Sequence, residues 1–452
     1  VLRVAVIGSG PSGIYAAESL LRARPDAVAV DVYDRLPAPF GLVRYGVAPD
    51  HLKIKSITRA LAKTLAHPAV RFLGDVEIGV APTVEQLRAH YDAVVYAFGA
   101  ARDRRLEVPG EDLHGSLSAV EFVSWYSGHP DAELDAALLS ARSAVVIGAG
   151  NVALDVARVL AKDPADLRPT DLPAHVLTVL EASTVRDVHL LARRGPAQVK
   201  FTTKELRELG EIDGLDVLVD PADLELDPVS EQACSDREVA RNLEALRAYA
   251  AAPATGAVRR LHLHFWLAPT ALLGGEHVTG VRADRTRLTS AGTLERTGES
   301  IDLDTQLVLR SVGYRGAAIP GVPLDERAGV VPNEVGRVLR AGAVSPGEYV
   351  VGWIKRGPTG VIGTNRSDAA ETVAALLADL PDGTGRADGD PPGLDRALVV
   401  DWDGWLAIDA AEEAAGAQDG RGRVKLAAWE ELRTAARAIA SATKPDGSGA
   451  RV

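Results

Sequence analysis

An α/β architecture of three-layer, mostly parallel sheets is predicted for this 452-residue chain by three stretches. The first is Val4-Ala5-Val6-Ile7 followed by Gly8, Gly10 and Gly13, a short buried strand running into G-x-G-x-x-G. The second is Ala144-Val145-Val146-Ile147 followed by Gly148, Gly150 and Ala153, the same pattern with alanine in last place. The third is a glycine-rich run at residues 349–365 ahead of a helical stretch.

In the opening unit the three glycines serve a tight turn, approach of backbone to a pyrophosphate, and close helix–strand contact, in that order. The helix expected over residues 12–22 points its positive N-terminal end at the phosphates. A second strand, residues 27–33, ends on Asp34, whose carboxylate is placed to accept both ribose hydroxyls. With the repeat of this unit, the chain predicts two Rossmann-like dinucleotide-binding domains. Residues 37–51 carry Pro and Gly at a density that excludes regular structure, yet they are apolar. Such a segment is expected to be buried, and a flat cofactor is a suitable cover. Residues 51–65 read as one amphipathic helix, residues 70–78 as a strand or hairpin, and residues 91–100 as a buried strand ending in small residues.

Residues 102–109 read as a crossing point and residues 115–128 as holding one helix. After the second glycine unit, the strand at residues 187–192 ends in Arg193-Arg194-Gly195, where the first unit has an acid. Two guanidiniums there suit a 2′-phosphate, so NADP is expected over NAD. Residues 201–210 read as a helix with Lys204, Glu205, Arg207 and Glu208. Residues 224–251 are polar and helix-prone, and residues 259–266 alternate like a strand. Further strands are expected around 278–283 and 307–312, and the return crossing at 320–332. Gly360, Val361 and Ile362 then precede a helix over 367–380 with Asn365 or Ser367 as N-cap. Its positive end suits a flavin pyrimidine ring, which gains negative charge on reduction. Residues 382–393 read as a linker, the following part as a small helical tail, and residues 444–452 as disordered.

Composition sets the limits. Hydrophobic residues at 46% and charged residues at 25% place the chain among ordinary globular proteins of two or three domains. No apolar run is long enough to span a bilayer. The first residues are already a strand, so no signal peptide is expected, and a cytoplasmic location is. Cys234 is the one cysteine. That excludes an intramolecular disulfide, a Cys-x-x-Cys pair, an all-cysteine zinc site and an iron–sulfur cluster in this chain. No metal site is expected. A net charge of −12 argues against nucleic acid as a partner. An acidic protein partner needs a local basic patch to dock against the overall field.

Four stretches together carry a family resemblance: residues 6–13, residues 39–51 (Pro-Phe-Gly-Leu-Val-Arg-Tyr-Gly-Val-Ala-Pro-Asp-His), Arg-Arg-Gly-Pro at 193–196 with Phe-Thr-Thr-Lys-Glu-Leu-Arg-Glu at 201–208, and Gly-Trp-Ile-Lys-Arg-Gly-Pro-Thr-Gly-Val-Ile-Gly-Thr-Asn at 352–365. The chain resembles the adrenodoxin reductase family over nearly its whole length, and within it the bacterial ferredoxin–NADP reductases. The resemblance implies a FAD domain split into residues 1–103 and 322–381, extended by helices at 394–452, with an NADP domain at 104–321 inserted. It implies hydride transfer from NADPH to FAD, then single electrons to a ferredoxin-type iron–sulfur protein. On matching positions, it implies FAD contacts at Ser12, Asp34, Leu42, Ile78, Trp353, Gly360, Val361 and Ile362. It implies NADP contacts at Arg104, Asn151, Val152, Arg193, Arg194 and Glu205. His51 and Glu208 match a pair proposed in the family to assist proton or hydride movement. Asp34 stands where relatives commonly have Glu.

On its own, His51 reads either as a proton relay or as a cap for the adjoining helix. Trp353 reads as an aromatic wall or hydrogen-bond donor beside the flavin, or as a core aromatic. Arg237, Arg241, Arg247, Arg259 and Arg260, with Lys53, Lys55 and Arg59, are candidate docking residues for an acidic ferredoxin. Two other readings use the same cofactors: a flavin-dependent NADPH oxidase or quinone reductase, and a non-catalytic FAD/NADP-binding sensor.

Overall fold

Two parallel sheets organise the chain in this computed structural model, which describes residues 1–380 and 389–442. Residues 382–388 of the expected linker and the expected disordered tail, residues 444–452, lie outside the described residues. The seven-stranded sheet runs Asn333–Glu334, Arg337–Arg340, Ala343–Val350, Ala93–Tyr96, Leu2–Ile7, Val28–Tyr33, Val70–Leu73. From Ala343–Val350 onward its pairings are parallel. The six-stranded sheet runs Ser116–Ser118, Leu307–Arg310, Ser143–Ile147, Asp187–Leu191, Arg259–His264, Leu215–Val219, parallel throughout. Each glycine-bearing strand is paired on both sides and covered on both faces. That is why Val4-Ala5-Val6 and Ala144-Val145-Val146 are unbroken apolar runs with no exposed surface.

A third sheet is antiparallel, Leu267–Gly274, Val278–Leu288 and Leu294–Asp304, and the strand expected near 278–283 is its middle member. The chain leaves the first sheet and returns through a two-stranded ribbon, Arg102–Asp103 against Tyr314–Arg315. The return therefore precedes the expected 320–332. Those residues already pack with the first sheet, Val322, Leu324 and Val331 lying against its Tyr96 and Val350 side. The expected helix over 51–65 is broken into Leu52–Lys55 and Thr58–Leu65. The hydroxyls of Ser56 and Thr58 donate to the carbonyls of Lys53 and Lys55, competing with helix continuation there. Within residues 37–51, Leu42–Tyr45 forms one helical turn. The helix expected to start at 367 begins at Thr364, with Gly363 as N-cap. Asn365 does not cap it because its Oδ1 accepts from Arg356 (2.7 Å), and Ser367 Oγ donates back to the Thr364 carbonyl.

The tail helices, Trp402–Gln418 and Trp429–Ala442, clamp the apolar 37–51 segment against the first core. Trp405 meets Phe40 edge-on at 5.6 Å, and Ile408 and Leu432 are fully buried in the same cluster. Glu412 is the charged centre of the clamp. It is wholly buried, pairs with Arg44 at 2.5 Å and Arg423 at 2.8 Å, and accepts the Leu426 N–H. Burial raises its pKa, but the two guanidiniums more than offset this and hold it below the usual carboxylate value. Removing one partner of a buried pair leaves a charge without compensation, at a cost of about 3–5 kcal/mol. Glu412→Gln is therefore expected to lower stability by about that amount, read from denaturant midpoints. A change below about 1 kcal/mol, the range of surface pairs, shows that the clamp does not depend on this charge.

Candidate active site between two glycine loops

The two glycine loops are built alike. Gly8 has φ +114°, and a Cβ there would lie 2.5 Å from the Ala97 carbonyl oxygen at the end of the neighbouring strand. Gly148 repeats this against the Ser311 carbonyl at 2.3 Å. Gly13 is needed for contact: a Cβ would sit 2.0 Å from the Gly8 carbonyl oxygen, so helix Pro11–Ala23 could not reach its strand. Ala153, wholly buried, fills the equivalent place in helix Asn151–Ala161. A Cβ on Gly150 would meet nothing within 4 Å, and one on Gly10 only the Gly41 Cα at 3.9 Å. Both helices open with a glycine N-cap and no side-chain cap, leaving their first N–H groups for a ligand.

Both loops open into one cavity of about 2300 Å³. Single-ligand pockets span about 300–1,000 Å³, so this space suits two large ligands. On one side lie Gly8, Gly10, Ser12, Asp34, Leu42, Ile78, Trp353, Gly360, Val361 and Ile362. On the other lie Gly148, Gly150, Asn151, Val152, Arg193, Arg194 and Glu205, and His51 also reaches the wall. Gly13, Arg104 and Glu208 are off the wall. Gly13 is inside the strand–helix contact. Arg104 is exposed at the crossing, where its N–H donates to the Gly313 carbonyl. Glu208 faces Lys204 at 3.1 Å.

Trp353 Nε1, from a wall residue, is buried with no protein partner. An unpaired buried polar group is costly, so it fits a ligand that supplies the missing partner. The glycine loop, the open helix N-terminus and this indole fit a flavin dinucleotide. Asp34 is already engaged. Its Oδ2 accepts from Ser9 N–H at 2.9 Å and Ser9 Oγ at 2.5 Å, and its Oδ1 from Leu36 N–H at 3.0 Å. An ionised carboxylate has about four acceptor positions, so one remains, for one ribose hydroxyl instead of the expected two. Across the cavity, Arg193 and Arg194 are exposed, and no carboxylate among the described residues pairs with either. They fit a 2′-phosphate.

Between the two sides stands an ionic cluster. His51 Nε2 is 2.9 Å from Asp155 Oδ1 and 3.0 Å from Glu205 Oε2. Arg158, 2% exposed, bonds Asp50 at 2.9 Å, Asp155 at 2.9 Å and Glu205 at 3.3 Å. Burial disfavours the imidazolium, but the hydrogen bonds to Asp155 and Glu205 outweigh both burial and the opposing Arg158 charge, raising His51 to about 9. His51 heads helix Leu52–Lys55 without a side-chain cap bond, so the capping role is excluded: its ring is turned to the acids. Glu208 comes only within 4.0 Å of Nδ1, too far for a hydrogen bond. Glu205 likewise spends its carboxylate on His51 and Arg158.

Asp155 and Arg158 were not singled out in the sequence. Arg158 left a legible trace, a charge on the buried face of its helix one turn beyond Asp155. His51 gives a pH dependence of fixed sign. Its pKa is raised from an ordinary 6.5 to about 9, so its stabilising contribution is complete below about pH 6.5 and lost as pH rises through about 9. Denaturation midpoints of His51→Gln compared with the unaltered protein are expected to show a gap that narrows over that window; a gap independent of pH contradicts the assignment.

Residues 2–209 match the family model described as pyridine nucleotide-disulphide oxidoreductase. The NADPH-ferredoxin reductase FprA of Mycobacterium tuberculosis is 45% identical over 449 residues, covering 95% of this chain and 98% of the relative. The mitochondrial NADPH:adrenodoxin oxidoreductase of Arabidopsis thaliana is 40% identical, covering 96% and 95%. The solved structure of M. tuberculosis FprA in complex with NADPH superposes with a TM-score of 0.90 over 96% of this chain and 99% of that one. The chain belongs to the family of adrenodoxin reductase-type NADPH-ferredoxin reductases.

Proposed function

We propose that this protein is a FAD-containing oxidoreductase that takes a hydride from NADPH and delivers electrons one at a time to a ferredoxin-type iron–sulfur protein. The observation that carries the reading is the shared cavity: both glycine loops open into it, one beside an acid, the other beside two arginines. In this reading residues 1–103 and 322–452 hold FAD and residues 104–321 hold NADP. Bound flavin supplies the conversion between paired and single electrons. The chain's own residues bind and orient. The Gly10 and Gly150 loops present backbone N–H groups to two pyrophosphates, and Trp353 Nε1 donates to a polar edge of the ligand on its side. Arg193 and Arg194 hold the 2′-phosphate. His51, its pKa raised by Asp155 and Glu205, stands on the cavity wall with Nε2 facing those acids and the Arg158 guanidinium at 2.8 Å.

The single cysteine places the acceptor's cluster on another protein. Not all of the basic candidates are free to meet it. Arg259 is held by Asp163 at 2.9 Å, Arg260 by Asp187 through two bonds, and Lys55 by Asp171 through two more. Arg237, Arg241 and Arg247 are exposed on one long helix, and Lys53, Arg59 and Lys63 line a groove that also contains Ile362. These six support docking of an acidic partner. No helix among the described residues is long and apolar enough to cross a membrane.

Anaerobic mixing with NADPH is expected to bleach the flavin, and addition of a ferredoxin to restore its colour. A flavin that stays oxidised in excess NADPH defeats the proposal. Replacing Arg193 or Arg194 by Ala removes a charged hydrogen bond, worth about 1.5–3 kcal/mol. KM for NADPH is expected to rise roughly tenfold to a hundredfold while KM for NADH stays level; equal changes for both refute the 2′-phosphate role. Ferredoxin-dependent turnover is expected to fall steeply with ionic strength, and a flat profile removes the basic docking surface.

A further inference from the structure

Three histidines outside the nucleotide cavity converge on one face of the six-stranded sheet. His262 and His264 alternate along strand Arg259–His264, so both side chains leave the same face. His189, on the adjacent strand Asp187–Leu191, is the register partner of His262. The intervening Val188, Leu190, Leu261 and Leu263 fill the core on the opposite face. The three rings are nearly parallel, 4.3 Å apart for His189–His262 and 5.2 Å for His189–His264. His189 Nδ1 and His264 Nε2 are 3.0 Å apart, and one ligand nitrogen from each of the three lies within 4.8 Å of the others. All three are half-buried, so the cluster is reachable from solvent.

We propose that His189, His262 and His264 form a binding site for a borderline divalent transition metal such as Zn2+ or Cu2+. Imidazole nitrogens bind Zn2+ at about 2.0–2.1 Å, which puts two adjacent ligands of a tetrahedral ion roughly 3.3 Å apart. The 3.0 Å between His189 and His264 is close to that. Three imidazoles and one position open to water are also a known zinc arrangement. His262 Nε2 donates to Asp187 Oδ1 at 3.0 Å, the carboxylate–histidine contact that orients a ligating ring and leaves Nδ1 free. The nearby cations are already spent: Arg260 is paired with Asp187 and Arg285 with Asp223. With these arginines paired to carboxylates, the charge barrier to a dication is low.

The test uses tag-free, FAD-loaded protein. Calorimetric titration with Zn2+ near neutral pH is expected to show one equivalent bound. His189→Gln and His264→Gln are each expected to weaken binding by about tenfold or more, and Asp187→Asn by about tenfold to a hundredfold, while a control His175→Gln changes nothing. Flavin content and NADPH reduction verify that each variant folds. Independently of any variant, one equivalent of Cu2+ in the oxidised, unaltered protein is expected to give an electron paramagnetic resonance spectrum split by three nitrogens. Absence of stoichiometric Zn2+ binding, an isotherm unchanged in both histidine variants, or a Cu2+ spectrum without several nitrogen ligands overturns the site.

Discussion

One guanidinium, that of Arg158, stands where the two nucleotide-binding halves meet, and the arrangement of the site depends on the acids around it. Taking an arginine out of water costs several kcal/mol unless it is fully paired. Here the partners come from three places. Asp50 belongs to the apolar segment after the first glycine unit, Asp155 to the helix that begins at the second glycine loop, and Glu205 to the helix beyond Arg193 and Arg194. Sliding one segment past another would strip the buried charge of a partner. The contact therefore sets the two cradles in one relation, and His51 is carried into the cavity wall as part of the same network. Lys55 and Lys425, both meeting Asp171, extend that constraint away from the cavity.

The two cradles share a plan and differ in charge. Each has a central strand, a glycine against the neighbouring strand's terminal carbonyl, and a helix with an uncapped start. The second strand of one unit leads into Asp34, and that of the other into Arg193-Arg194. An acid repels a 2′-phosphate and two arginines attract it, and in the proposed reading this charge difference sorts two dinucleotides to opposite sides of one space. Asp34 also pins the Ser9 backbone, a local duty that its short side chain can perform while keeping one acceptor position. A longer glutamate reaches farther from its strand, so the choice of Asp ties the acid more closely to its own loop.

The parts legible in the sequence are those where backbone geometry forces residue identity. Gly8, Gly13 and Gly148 are fixed by carbonyl oxygens within 2.5 Å of any Cβ, and the paired central strands must be continuously apolar. The hidden parts obey no short-range pattern. Strand Leu294–Asp304 is largely exposed, so it shows no alternation, and Leu267–Gly274 carries Pro269, which argues against a strand. The pairing of Arg158 with Asp50, or of Glu412 with Arg44, spans more than a hundred residues. From sequence, Glu208 and Glu205 are equivalent acids on one short helix. Only the packing shows that Glu205 reaches His51 and Glu208 turns to Lys204.

Single-electron delivery imposes a last constraint, which the charge distribution answers. The acceptor's cluster cannot be in this chain, because one cysteine ligates no such cluster. The reducing side of the site must stay closed around two nucleotides, and the delivering side must meet another protein. The His51 network forms the closed side, buried and ionically saturated. The loop of Gly360, Val361 and Ile362 is the more open part of the wall: Val361 is 67% exposed although it lines the cavity, and Ile362 also lines the groove of Lys53, Arg59 and Lys63. A chain of net charge −12 repels an acidic partner at long range. Those three cations have no carboxylate partner among the described residues, while Arg259 and Arg260 are tied to carboxylates elsewhere. In the proposed docking, these cations, gathered beside one cavity-lining loop, offset that repulsion locally.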